Sequence, residues 1–127
     1  MPSTIYVVEP SPDGRAWIES ALVRDGVHCV FLADGTELLA GLAQGPQGPG
    51  DCLIASADSA ADASATLQLV RALRQGGKNL PVIVLGPHSA FRTAVDIARL
   101  PRTDFLERPV SVRQLRAALR RAAGPDE

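Results

Sequence analysis

Asp51-Cys52-Leu53-Ile54-Ala55-Ser56-Ala57-Asp58 is the stretch on which the reading of this 127-residue chain turns. A short apolar run closes on small and acidic residues. A run of that length, bounded by turn-forming residues, fits a strand buried on both faces of a parallel sheet. In an open parallel sheet, chemistry sits just beyond the carboxyl ends of the strands. Ser56 and Asp58 would lie there, so what they can do bears most directly on function.

The same signature recurs on either side. Thr4-Ile5-Tyr6-Val7-Val8 is a β-branched and aromatic run, stopped by Glu9-Pro10. Ser11 then reads as an N-cap, with Pro12 at the first helical position and Asp13 in the first turn. That helix is expected to reach about Asp25 before Gly26, with Ile18, Ala21 and Leu22 inward and Trp17 partly buried beside them. Val27 to Leu32 is a second strand, with His28 on its polar side. Asp34-Gly35-Thr36-Glu37 is a capping box opening a helix to about Ala43. Gln44 to Gly50 has the composition of a surface loop and is too short to link two cores.

Beyond the central run, residues 57–63 are small and polar and read as a loop. Leu67, Val70 and Leu73 mark a third helix ending at Gly76-Gly77. Leu80 to Leu85 is a fourth buried strand, closed by Gly86-Pro87-His88. Ser89 to Leu100 forms a fourth helix with Ala94, Val95 and Ala98 inward, and Pro101 ends it. Asp104 to Glu107 is a short fifth strand and Arg108-Pro109 a turn. Ser111 caps a last helix with a stripe of Val112, Leu115 and Leu119, before a frayed tail from Gly124. Strand and helix thus alternate five times with short connections. The predicted fold is α/β: a doubly wound five-stranded parallel sheet of order 2-1-3-4-5, flanked by five helices, with its site at the switch point between strands 1 and 3. Residues 1–127 are expected to form one domain with its core over about 4–122.

Composition narrows the function classes. A 46% apolar and 21% charged chain is an ordinary globule, and its net charge of −1 makes no field for nucleic acid or an anionic membrane. No apolar run reaches the roughly 18–20 residues of a membrane span. No basic segment precedes a long apolar one at the start, and Cys29 and Cys52 both fall inside strands as buried thiols. A cytoplasmic setting is expected. There is no Gly-x-Ser-x-Gly elbow around Ser56 and no phosphate-binding glycine loop after the first strand. His88 reads as a solvated loop residue.

Four blocks, arriving in order, make the pattern specific. Val7-Val8-Glu9-Pro10, Asp51 to Ser56, Leu80 to Gly86 and Asp104-Phe105-Leu106-Glu107-Arg108-Pro109-Val110 resemble the corresponding blocks of receiver domains from two-component response regulators, the CheY-like, flavodoxin-like fold. The resemblance spans essentially residues 4–122. It implies a phosphorelay signalling domain rather than an enzyme in its own right. It also assigns positions: Glu9 and Pro10 to the acidic pair, Ser56 to the phosphoaccepting aspartate, Gly86 to the switch hydroxyl, Phe105 to the switch aromatic and Arg108 to the lysine. Pro109 becomes a candidate for a cis peptide bond.

At every chemical position this chain departs from the family's usual residue. One carboxylate of the pair is lost to the ring of Pro10. Magnesium favours octahedral hard oxygens, so binding is not expected; Glu9 and Asp58 are the weak candidate ligands. Ser56 would form a stable ester rather than a labile acyl phosphate, and no general base flanks it in the sequence. Asp58 shares its face in an extended chain and is the alternative acceptor. Arg108 keeps the lysine's charge on a planar fork, and a salt bridge from it to Glu9 and Asp58 would fill the cation's place. The expected function is therefore an atypical pseudo-receiver working by protein contacts without aspartyl phosphorylation. The alternative is a working magnesium-dependent phosphoacceptor using Asp58. Expected partners are an output domain or other signalling protein, a histidine kinase among them. A homodimer through the fourth helix, fifth strand and fifth helix is a further candidate. Arg113, Arg116, Arg120 and Arg121 would make one side of that last helix basic, with no direct nucleic-acid binding.

Overall fold

Ten elements alternate along the chain: β1 (Thr4–Val8), α1 (Pro12–Leu22), β2 (His28–Leu32), α2 (Gly35–Gln44), β3 (Cys52–Ser56), α3 (Ala60–Gln75), β4 (Val82–Gly86), α4 (Phe91–Ala98), β5 (Thr103–Glu107) and α5 (Val112–Ala123). They come from a computed structural model that describes residues 4–22, 26–32, 34–44, 51–77, 80–87 and 91–123. All strand pairs are parallel and their order is β2-β1-β3-β4-β5. The predicted order and switch point are the observed ones. The Gln44–Gly50 loop, His88 and the tail from Gly124 fall largely or wholly outside the described residues.

The apolar runs become strands because both faces are covered. Every residue of β3 and β4 is buried. Val82 and Val84 join Leu53 in one core layer with Leu69, Val70 and Leu73 of α3 and Ile97 of α4. Ile83 and Leu85 join Ile5, Val7 and Ile54 in the other, under Ile18 and Leu22 of α1 and Leu115 of α5. Each fully buried Leu or Ile contributes roughly 1.5–3 kcal/mol over its exposed state. The edge strands β2 and β5 are only half-buried, and His28 is exposed as expected. Trp17 lies partly buried against the second layer.

The caps behave as their sequences imply. The Ser11 hydroxyl accepts from the Gly14 N–H at 3.2 Å, and Asp34 accepts from the Glu37 N–H at 3.1 Å. Ser111 and Gln114 form a reciprocal capping box, 3.0 and 2.8 Å. Gly26 has φ +66°, a left-handed stop that suits glycine. The Arg108–Pro109 bond is cis.

Four local expectations need correction. Residues 57–63 are not all loop, because α3 starts at Ala60. Ser59 caps it, accepting from the Asp62 N–H at 3.0 Å, and a run of alanines needs no apolar period to be helical. Gly86 belongs to β4 rather than to the loop after it. On α4 (Phe91–Ala98), among the residues whose burial is described, Ile97 is the fully buried one and Ala94 and Val95 are half-buried; the expected inward place of Ala98 lies outside the described side chains. On α5, Val112 is 38% exposed and Ala118 takes the buried place instead.

Cys52 is a buried thiol, its pKa pushed up to about 12 mainly by burial. Cys29 is only half-buried, and burial followed by the nearby Glu19 carboxylate raises it.

Candidate functional site

The carboxyl ends of β1, β3 and β4 converge on one cluster. Ser56 ends β3 and is 3% exposed. Glu9 follows β1 and is 2% exposed, a buried carboxylate that must be hydrogen-bonded to be tolerated. It is. Its Oε1 accepts the Ser56 hydroxyl in a short hydrogen bond, and its Oε2 accepts the Ser11 N–H at 3.1 Å. Its backbone carbonyl takes the Arg15 Nε–H at 2.6 Å. This corrects one expectation. A carboxylate does flank Ser56, brought from a position 47 residues away by the β1–β3 pairing.

Gly14 makes room for this arrangement. A Cβ at Gly14 would lie 2.5 Å from Glu9 Cδ and 2.6 Å from its Oε1. Only glycine lets the first turn of α1 close over a glutamate folded inward. Neither Gly14 nor Arg15 stood out in the sequence. The signal was available in a glycine inside a first helical turn, where it costs stability unless packing requires it.

Arg108, just past β5, closes the cluster from above. Its Nε donates to Asp58 Oδ1 at 2.8 Å, and its Nη2 donates to Ser56 Oγ at 3.0 Å and reaches Glu9 Oε1 at 3.5 Å. Its backbone N–H is anchored on Gly86 O at 2.7 Å. The expected salt bridge is thus present, and one guanidinium spans both carboxylates and the serine. The Arg108 and Asp58 side chains are 32% and 43% exposed, so this half of the cluster is solvated while the Glu9 half is not.

Pro10 stands exposed at the rim of a small cavity of about 100 Å³ that reaches Ser56 between Asp34, Asp62 and Thr66. Thr66 Oγ1 lies 3.5 Å from the Ser56 carbonyl. Among the described residues no three His, Cys, Asp or Glu side chains gather closely enough to hold a metal ion. Gly86 and Phe105 are coupled by space. A Cβ on Gly86 would lie 2.9 Å from Phe105 Cζ and 3.2 Å from the Ala57 carbonyl, so the ring occupies what a side chain at 86 would need. Glu9, Ser56, Asp58 and Arg108 are thus directly bonded in one cluster, Gly86 and Phe105 pack against each other beside Ala57, and Pro10 lines the adjoining cavity without offering a polar side chain.

The last helix differs from its sequence reading. Arg113, Arg116 and Arg120 share a groove with Val112. Arg121 lies about 100° further round the helix and pairs with Asp104 of β5 at 3.0 Å. The basic side is two surfaces rather than one.

No family model matches the chain. It is similar to the transcriptional regulatory protein TctD of Salmonella typhimurium, 33% identical over 126 residues covering 94% of this chain and 53% of that protein. It is also 29% identical over 118 residues to the DNA-binding transcriptional regulator NtrC of Salmonella typhimurium, covering 93% of this chain and 24% of that one. The chain thus spans about half of one relative and about a quarter of the other. Among solved structures it superposes on a response regulator receiver domain protein from Clostridium thermocellum with TM-score 0.82 at 18% identity, covering 97% and 95% of the two chains. No helix among the described residues is long and apolar enough to cross a membrane.

Proposed function

Since this chain is a receiver domain of the two-component response-regulator kind, we propose that it is an atypical one, a pseudo-receiver that signals by protein contacts without aspartyl phosphorylation. The observation that carries this reading is the position of Arg108. Its guanidinium binds Asp58, Ser56 and Glu9 together, where the family would use a cation and a phosphoryl group.

Magnesium does not fit these residues. The ion needs hard oxygens free to enter an octahedral shell. Glu9 already spends its oxygens on Ser56, Ser11 and Arg108, Asp58 is held by Arg108, and Pro10 has no side-chain oxygen to offer. Ser56 has a carboxylate to take its proton, but the same carboxylate repels an incoming phosphoryl dianion, and Ser56 is almost fully buried.

On this reading Glu9, Ser56, Asp58 and Arg108 hold one fixed arrangement of the β3 and β5 ends, with Gly86 and Phe105 packed behind it. The domain, with its core over about residues 4–122, presents that arrangement to a partner and catalyses nothing. The longer relatives are named as transcriptional regulators, so an output domain is the first partner to seek, and a histidine kinase the second. A homodimer through α4, β5 and α5 is the third candidate, and sedimentation of the isolated domain tests it. Asp58 is the rival acceptor because it is the most exposed carboxylate of the cluster.

Incubation with magnesium and a small acyl phosphate, followed by intact-mass measurement, separates the readings. The pseudo-receiver gains no phosphoryl group. A hydroxylamine-labile phosphoryl group that is lost in Asp58→Asn would establish the rival.

A further inference from the structure

The outer side of α5 carries more charge than its packing asks for. The helix holds four arginines and no carboxylate. Arg113 and Arg116 stand three positions apart, and Arg116 and Arg120 four apart, so like charges meet on neighbouring turns, which weakens a helix. Arg113 also sits in the first turn, where the helix dipole favours an anion. Arg113 and Arg120 are exposed, and neither makes a hydrogen bond or ion pair with a described residue. Their repulsion is a local cost that these contacts do not offset, and such costs mark surfaces kept for another use.

The three side chains and Val112 line one groove of about 320 Å³. Val112, 38% exposed, is the large apolar side chain that the described residues leave open to solvent. Leu115 and Ala118 face the sheet, and Arg121 turns toward Asp104 of β5. Arg116 lies about 140° round the helix from Arg121, and Arg113 and Arg120 project opposite to Leu115 and Ala118. The groove therefore runs along the outward side of α5 and the flank turned from β5. A partner held there leaves the β5 edge open.

We propose that this groove docks an acidic amphipathic helix of another protein. Charge complementarity and spacing carry the assignment. From Arg113 to Arg120 the cations are strung over roughly 10 Å of helix axis, so they do not converge on one small anion. They match carboxylates repeated at the pitch of a second helix. In a helix laid antiparallel to α5, residues i, i+4 and i+7 meet Arg120, Arg116 and Arg113, and an apolar residue at i+8 covers Val112. A planar guanidinium can take each carboxylate with two donors. A second copy of this chain does not offer that pattern among its described helices. Within its span α1 has Asp13 and Glu19, six apart, and α2, α3 and α4 have one carboxylate each. A nucleic acid would meet a short stripe on a domain of net charge −1. The surface stands apart from the Ser56 cluster and holds whether or not that cluster accepts a phosphoryl group.

The probe is a fluorescent, side-chain-stapled helical peptide with glutamates at i, i+4 and i+7 and a leucine at i+8. Its control has the same composition, with the glutamates spread round the helix. Anisotropy at low salt is expected to show saturable binding of one matched peptide per chain, weakened by added salt, with the control markedly weaker. Arg113→Gln and Arg120→Gln keep good helix formers at exposed positions. Each should weaken binding about threefold, the size of one exposed ion pair, and the double variant about tenfold. Arg121→Gln, on the other flank, should bind like the unaltered protein. The proposal is overturned by no saturable binding, by equal binding of the control, by undiminished binding in the double variant, or by an equal loss in Arg121→Gln. Tighter binding of a short duplex DNA would give the groove to nucleic acid instead. A sedimenting dimer that the double variant abolishes would give it to a second copy, and either result overturns the proposal.

Discussion

Replacing Arg108 with Met tests the cluster most sharply, because methionine keeps much of the apolar stem and removes only the guanidinium. Three contacts go. The bond to Asp58 joins groups that are 32% and 43% exposed, and such pairs contribute about 0.2–1 kcal/mol. The charged hydrogen bond to Ser56 is partly buried and contributes about 1.5 kcal/mol. The contact to Glu9 is long at 3.5 Å, but the carboxylate it serves is 3% exposed. Removing one partner of a fully buried pair costs roughly 3–5 kcal/mol. Glu9 keeps its bonds from Ser56 and Ser11, so only a fraction of that applies. The expected loss is about 2–3 kcal/mol, or roughly 8–12 °C in Tm for a domain of this size. Urea unfolding at neutral pH measures it, with an unchanged m-value showing that the two-state comparison holds. In a Glu9→Gln background the Arg108→Met cost should shrink, since the charge it compensates is already gone. A loss below about 0.5 kcal/mol, the scatter of ordinary surface changes, would refute the reasoning.

Three further outcomes follow from the same geometry. Gly14→Ala should destabilise, although alanine is the better helix former by about 1 kcal/mol, because its Cβ would sit 2.5 Å from Glu9 Cδ; thermal melting that shows a gain would contradict the packing. Gly86→Thr should cost about 1–3 kcal/mol and displace the Phe105 ring, read from its aromatic NMR signals, whereas unmoved signals would contradict the coupling. Cys52, whose thiol pKa rises from 9.0 to about 12 in the fold, binds its proton more tightly folded than unfolded. Its contribution is therefore intact below pH 9 and is lost as pH rises from about 9 toward 12. Cys52→Ala should flatten the alkaline fall in stability over that window, and an unchanged fall would contradict this.

Much of the fold was legible because buried parallel strands announce themselves as short apolar runs between turn residues, and β1, β3 and β4 all do. The start of α3 was not, since Ala60 to Ala65 carry no apolar period and the deciding feature is a single Ser59–Asp62 cap. Ile97 was passed over on a helix too short for periodicity to fix its inward face. At the site, the positions were legible and so was the Arg108 bridge. The Glu9–Ser56 bond was not, because it depends on the pairing of strands far apart in the chain and on a glycine that lets a glutamate fold inward.

The central claim is that a tethered guanidinium stands where a cation would otherwise sit. Titration of the unaltered protein with magnesium, followed through the amide signals of Ser56, Ala57 and Asp58, tests it directly. The account predicts no saturable shift at millimolar magnesium. A saturable shift at these three amides, abolished by Asp58→Asn, would contradict it.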